Sequence, residues 1–399
     1  MIKQKIFSEF TAEIHPYIEM AEEYHVTSAN PKIPQKGCSA YVGFRVFPKS
    51  FDAIVENKWG FNSKAFLEEI QNRQIGFLNL LRFREGDMLE ADSVTRSISL
   101  RYIYDPVGGE LQIALVGKVW ANGELLVHRS ACELARQIKA LLPYDYQCVS
   151  LKSREELYKF TGKRLLDSAQ CTGDIVELRR SEDLIQTNVS NAYILSSWNV
   201  PALESENIWR ALASSDKPIM LAITIRPTQL TLEEECILSE LVEGSKRTAD
   251  LIEYPILKMK AARAADSLNE RIKSWQSPYL LQLHLAAVQG VPDYITRAVG
   301  SALETRLDLE ASIEPYRIIK PNHPRAVRKS NRLLRTLSFE SHPSQMQNNF
   351  IARFPYLFSL EEAQSIFRLP TVPKGGIEGL NFGNFPHSNE GMRRLPLGI

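Results

Sequence analysis

The residues best suited to chemistry lie in one stretch. Residues 315–338 (PYRIIKPNHPRAVRKSNRLLRTLS) hold Arg317, Lys320, Arg325, Arg328, Lys329, Arg332 and Arg335, with no acidic residue among them. Cations at that density can neutralise nucleic-acid phosphates without reading a base sequence, which makes these seven the candidate DNA-binding residues. Arg328, Arg332 and Arg335 follow one another at four- and three-residue steps, so a helix there presents them together. The plainer alternative is a solvated loop and helix face that pairs with acidic patches elsewhere. Tyr316 and Phe339 are too few for a single-strand stacking platform.

Other chemistries find little support. A phosphate loop needs glycines at fixed offsets before a Lys-Ser/Thr pair. Gly162-Lys163-Arg164 has Leu157 where the first glycine should stand and Arg164 where the hydroxyl should, and Gly244-Ser245-Lys246 fails the spacing inside an expected helix. The seven histidines form no H-x-x-x-H or H-E-x-x-H pair, which argues against a metal centre; His128 and His284 read as core or interface histidines. No G-x-S-x-G elbow is present, and no Cys/His pair is read as close in sequence. The acidic runs Glu68-Glu69, Glu155-Glu156 and Glu233-Glu234-Glu235 fit solvated helix faces and helix starts. Catalytic residues are therefore assigned to none of these positions, and an enzyme built from residues distant in sequence stays an alternative.

Composition frames these readings. The 399 residues are 44% hydrophobic, with 48 Lys and Arg against 47 Asp and Glu, as expected of a soluble globular chain. At roughly 150 residues per domain, the length suggests two or three domains. A net charge of +1 excludes a polyanion-coating protein, but leaves room for a local basic patch. Five scattered cysteines with no C-x-x-C pair suggest reduced thiols. The first twenty residues lack the apolar core of a signal peptide, and runs such as 218–225 and 279–288 fall short of the ~18–20 residues that span a bilayer. The expected location is cytoplasmic, without direct membrane insertion.

The elements that must position the basic stretch read as an α+β fold of two or more strand–helix–strand modules, with mixed or antiparallel sheets, a long helix and an extended C-terminal tail. An N-terminal segment covers 1–37. A first unit over 38–151 contains strand 39–47, helix 63–82, strands 97–104 and 111–120 about the turn Asp105-Pro106-Val107-Gly108-Gly109, and helix 124–142. After a polar stretch at 152–173, a second unit over 174–314 carries strands 174–180, 191–198 and 217–226 and helix 203–214. A capping box at Thr231-Leu232-Glu233-Glu234 opens a long helix that breaks near Pro255, with strand 278–288 and helix 292–307 beyond. The basic segment is 315–358. Ser359 opens another capping box, and 359–399 reads as a Pro/Gly-rich linker or docking tail with candidate contacts Phe367, Leu369, Pro370, Leu380 and Phe382.

Residues 358–380 (FSLEEAQSIFRLPTVPKGGIEGL) resemble the linker just before the motor domain of HerA/FtsK-type and conjugation-type ATPases, and the closing RRLPLGI is similar to the strand entering that core. SISLRYIYDPVGGELQIALVGKVW and KPIMLAITIRPTQLTLEEECILSEL resemble the non-catalytic N-terminal region of those proteins. The resemblance implies a non-enzymatic assembly and regulatory module of a DNA-translocating ATPase in conjugation, secretion or anti-phage defence. The implied partners are a RecA-like ATPase domain or subunit, further copies of the chain in a ring, and DNA, at the inner face of a bacterial membrane through other proteins. ATP and Mg are expected only in a fused or partner motor, because no phosphate loop lies in these residues. A stand-alone nucleic-acid-binding protein is the alternative from a different class.

Overall fold

The computed structural model describes residues 16–23, 35–49, 63–80, 94–168, 171, 173–188, 190–198, 200, 205–303, 314–339, 351–372 and 377–385. The turn at 105–109 joins β3 (Val94–Asp105) to β4 (Glu110–Ala121) as an antiparallel hairpin. Gly109 takes φ 60° there, which a glycine adopts without steric cost, and its N–H donates to the Asp105 carbonyl at 2.9 Å.

Around this hairpin the first unit runs β2 (Gln35–Pro48), α1 (Ser63–Leu80), β3, β4, α2 (Glu124–Leu141) and β5 (Tyr146–Ser150). Its strands lie side by side in the order β5-β2-β4-β3. β1 (Tyr17–Glu23) shares the β5 edge of β2, pairing with residues 35–41 while β5 pairs with 44–48. The second unit runs β6 (Ile175–Arg180), α5 (Ser205–Ala213), β9 (Ile219–Pro227), β10 (Tyr279–Ala287), α8 (Asp293–Ala302) and β11 (Tyr316–Ile319), with spatial order β11-β6-β10-β9. Each unit is thus a βαββαβ module with strand order 4-1-3-2, the split βαβ connectivity of ferredoxin-like folds. They join edge to edge through antiparallel β3 and β9, giving one ten-stranded sheet that also includes β12 (Leu357–Phe358). The protein is α+β, and the strand pairs among the described residues are antiparallel.

The junction shows internal two-fold symmetry in its residues. Ser99-Leu100-Arg101 on β3 matches Thr224-Ile225-Arg226 on β9, and Ser99 pairs with Thr224, their hydroxyls 2.9 Å apart. On one side of that pair the row Tyr41–Lys118–Ser97 leads to Arg226, whose Nε donates to Ser97 Oγ at 3.1 Å. On the other side Glu177–His284–Ala222 leads to Arg101 in the same order. The repeated pattern expected of the two units is therefore a repeat of topology and of a polar face.

The units differ in their insertions. Between β6 and α5 the second carries a small separate sheet, β7 (Glu182–Gln186) with β8 (Asn191–Leu195). Between β9 and β10 it carries the helical hairpin α6 (Leu232–Leu251) and α7 (Pro255–Ser274) where the first unit has only a turn. The Thr231/Glu234 capping box and the break at Pro255 stand as expected.

Both faces of the sheet are covered. Leu100, Tyr102, Leu115, Leu221 and Leu283 meet α1, α2, α5, α8 and α10 (Leu360–Ile366) on one side. The other side lies under α3 (Arg154–Phe160), α4 (Lys163–Ser168), α9 (Pro324–Thr336) and the α6–α7 hairpin. The stretch 152–173, expected to be merely polar, holds α3 and α4; the capping box of Ser153 and Glu156 starts α3. The helix expected over 292–307 ends at Ala302, with Leu303 as its C-cap, and 304–313 lie outside the described residues. Among the described residues no helix is long and apolar enough to cross a membrane.

The segment expected to dock onto a partner is used within the chain. Phe367, Leu369 and Phe382 join the main core, Pro370 is buried and Leu380 packs against that core. Gln74 Nε2 and Tyr146 Oη donate to the Leu369 carbonyl at 3.2 and 3.3 Å, and Leu111 N–H donates to Asn381 O at 2.7 Å. The apolar pattern read as docking surface is the complement of α1, β3 and α5. Residues 386–399 of the expected tail, including RRLPLGI, lie outside the described residues.

Two buried ion networks hold this returning segment. Glu362, the third residue of the α10 capping box, lies 2.7 Å from Arg180 and 3.7 Å from Arg271. Burial alone would raise the Glu362 carboxyl, but Arg180, Arg271 and the Ser359 N–H hold it below the usual carboxylate range. Glu234, expected on a solvated face, is fully buried 3.4 Å from Arg353. Its capping role takes it inward, and desolvation raises its pKa against the pull of Arg353.

Candidate functional site

The basic stretch divides on folding. His323 caps α9, its Nδ1 accepting from Ala326 N–H at 3.1 Å, and Pro324 occupies the first turn, where a missing N–H costs nothing. Val327, Leu333 and Leu334 face inward. The C-terminal end is held by a buried cation: Arg101 donates to Leu334 O at 2.5 Å and to Thr161 O at 3.5 Å. Burial lowers the Arg101 guanidinium to about 9, which leaves it charged at neutral pH and matched to the negative end of the helix dipole. Lys118 adds a bond to Ser338 Oγ at 2.9 Å.

This anchoring aims three of the seven candidate cations into one cavity. Arg328, Arg332 and Arg335 line a cavity of about 400 Å³ with Asn331, Thr336, Leu157, Thr161, Tyr17, Tyr41 and Tyr158. Its size falls within the range of small-molecule sites, about 300–1,000 Å³. The other four lie elsewhere. Arg317 on β11 donates to the Glu182 carbonyl, and Lys320 pairs with Asp293 at 2.8 Å. Arg325 is exposed on α9 and Lys329 half-buried, neither lining the cavity.

The same cavity is lined by an aromatic wall of three tyrosines. Tyr17 on β1 stacks on Tyr41 of β2 with ring centroids 6.4 Å apart, and meets Tyr158 of α3 edge-on at 5.8 Å. The guanidinium of Arg154 lies over Tyr17 at 4.5 Å and over Tyr158 at 4.9 Å. None of the cavity's lining residues is acidic, and Arg335 pairs with Asp167 at 2.9 Å. Asn331 is held by a bond from Nδ2 to Leu166 O at 2.5 Å. Guanidinium groups offer paired donors to phosphate oxygens, and tyrosine faces accept bases. The tyrosines escape sequence reading because they come from three elements, with Tyr17 and Tyr158 separated by 141 positions.

Two further expectations change. His128 and Cys132 stand one helical turn apart on α2, with Nδ1 and Sγ at 3.9 Å, so a Cys/His pair is close after all. Burial raises the Cys132 thiol, which is opposite to the activation a nucleophile needs. His128 is exposed rather than core, while His284 is buried on the polar face of β10. Among the described residues no cluster of three or more His, Cys, Asp or Glu side chains could hold a metal ion. The sequence matches no protein-family model and no curated protein.

Proposed function

We propose that this chain is a non-enzymatic module that holds nucleic acid in the cleft between α9 and the Tyr17–Tyr41–Tyr158 wall. The observation that carries the reading is one cavity lined by Arg328, Arg332 and Arg335 together with Tyr17, Tyr41 and Tyr158, with no acidic lining residue. A single strand suits it, because only unpaired bases expose the faces that stack on tyrosine while the phosphates meet the arginines. The resemblance of residues 358–380 adds the setting: assembly or regulation of a HerA/FtsK-like DNA-translocating ATPase, with the RecA-like partner supplying ATP and Mg.

The test is fluorescence anisotropy with labelled single-stranded and duplex oligonucleotides of one sequence. The single strand should bind more tightly, and Tyr158→Ala should weaken it by about tenfold, the equivalent of one lost stacking contact of about 1–3 kcal/mol. Equal binding of both forms, unchanged in Tyr158→Ala, would overturn the reading.

A further inference from the structure

The α6–α7 hairpin has no counterpart in the first unit, which closes the equivalent strand pair with the turn at 105–109. Its lower part is well supported: Leu238, Val242, Leu268 and Trp275 pack against Leu280 and β8. The last support is a seam of small residues, Ala249 and Ala261 against Ala192. Beyond that seam the chain projects, and residues 253–259 (EYPILKM) are all exposed. Tyr254 is 75% exposed, Ile256 67% and Leu251 53%, with Leu257 and Met259 also open to solvent. Such a run of exposed apolar side chains is costly unless something covers it.

The charges around the tip indicate what covers it. Between 246 and 263 stand Lys246, Arg247, Lys258, Lys260 and Arg263 against Asp250 and Glu253. At about 1.5 Å per residue, Lys246 and Arg247 lie about 6–8 Å below Leu251, and Lys258 to Arg263 about 5–12 Å below the start of α7. The tip sets Asp250, Glu253 and Lys258 among its exposed apolar side chains, and with the net positive collar this matches a bilayer surface where apolar groups enter about 5–10 Å, charged groups stay at headgroup level and lysines reach back to the phosphates. Lys246 also pairs with Glu243 at 2.8 Å, an exposed contact that salt or lipid phosphate readily replaces.

We propose that the 250–260 tip is an interfacial anchor for anionic lipid, inserting Leu251, Tyr254, Ile256, Leu257 and Met259 without spanning the bilayer, in place of the purely partner-mediated membrane association expected from the sequence. This surface is independent of the nucleic-acid cleft and stands whether or not that cleft binds.

The full chain is sedimented with phosphatidylcholine vesicles, with and without about a third phosphatidylglycerol. Binding to the anionic vesicles, falling about tenfold or more in Tyr254→Ser/Ile256→Ser and in Lys258→Glu/Lys260→Glu, is the expected result. Because Tyr254, Ile256 and Lys258 are exposed and Lys260 is only half-buried, both variants should melt like the wild type, which separates lost binding from lost folding. Failure of the wild type to bind anionic vesicles overturns the proposal, as does binding that both variants retain. A concentration-dependent dimer lost in Tyr254→Ser/Ile256→Ser, without vesicle binding, also overturns it by making a second copy the occupant.

Discussion

Replacing Glu362 by Gln isolates the charge that ties the C-terminal segment to the second unit. The amide keeps the size of the side chain and can still accept from Ser359 N–H, as the carboxylate does at 3.1 Å. What it loses is the counter-charge to Arg180, 2.7 Å away and fully buried, and to Arg271 at 3.7 Å. Breaking a buried ion pair from one side costs about 3–5 kcal/mol, mostly because the other charge stays buried and unmatched. Here the guanidiniums retain acceptors: Arg180 donates to Leu357 O at 2.8 Å, and Arg271 to Leu195 O and Ser196 O at 3.0 and 2.9 Å. The expected loss is therefore at the low end, about 3 kcal/mol, read as a lower urea midpoint with an unchanged slope. The folded carboxyl lies below its unfolded value, so its contribution is complete above the unfolded pKa of about 4.3 and disappears as pH falls through the folded one. Wild type and Glu362→Gln should therefore converge in stability in that acid range. A loss under about 1 kcal/mol at neutral pH, or parallel acid profiles, would mean that the Glu362 charge does not hold the segment.

Gly300→Ala should destabilise by about 1–3 kcal/mol, because its Cβ would lie 2.1 Å from the Tyr316 ring between α8 and β11. A thermal melt measures it, and an unchanged midpoint contradicts that packing. Arg101→Met removes the cation from the carbonyl ends of α3 and α9, and should cost about 2–3 kcal/mol. Hydrogen exchange should quicken first in 324–336, whereas uniform change across the sheet would place the effect elsewhere.

Local signals proved readable in the sequence and non-local ones did not. The Thr231/Glu234 and Ser359/Glu362 capping boxes and the turn at 105–109 depend on neighbours within a few positions, and each stands in the structure. The helical face of Arg328, Arg332 and Arg335 was legible for the same reason. The 4-1-3-2 strand orders depend on pairings such as Phe44 with Ser150 and Leu178 with Leu283, which no local pattern specifies. The tyrosine wall is non-local in the same way. Phe367, Leu369 and Phe382 show the converse failure: an apolar, Pro- and Gly-rich segment has the same composition whether it docks on a partner or on its own chain.

The most direct test of the central claim is the salt dependence of single-strand binding. Each phosphate neutralised adds about 0.7 to the slope of log affinity against log salt, so three arginines should contribute a slope of about 2. Arg328→Ala/Arg332→Ala/Arg335→Ala should lower the slope by nearly that amount, with the fold intact by circular dichroism. An equal slope in wild type and triple variant would contradict it and return α9 to a purely structural role.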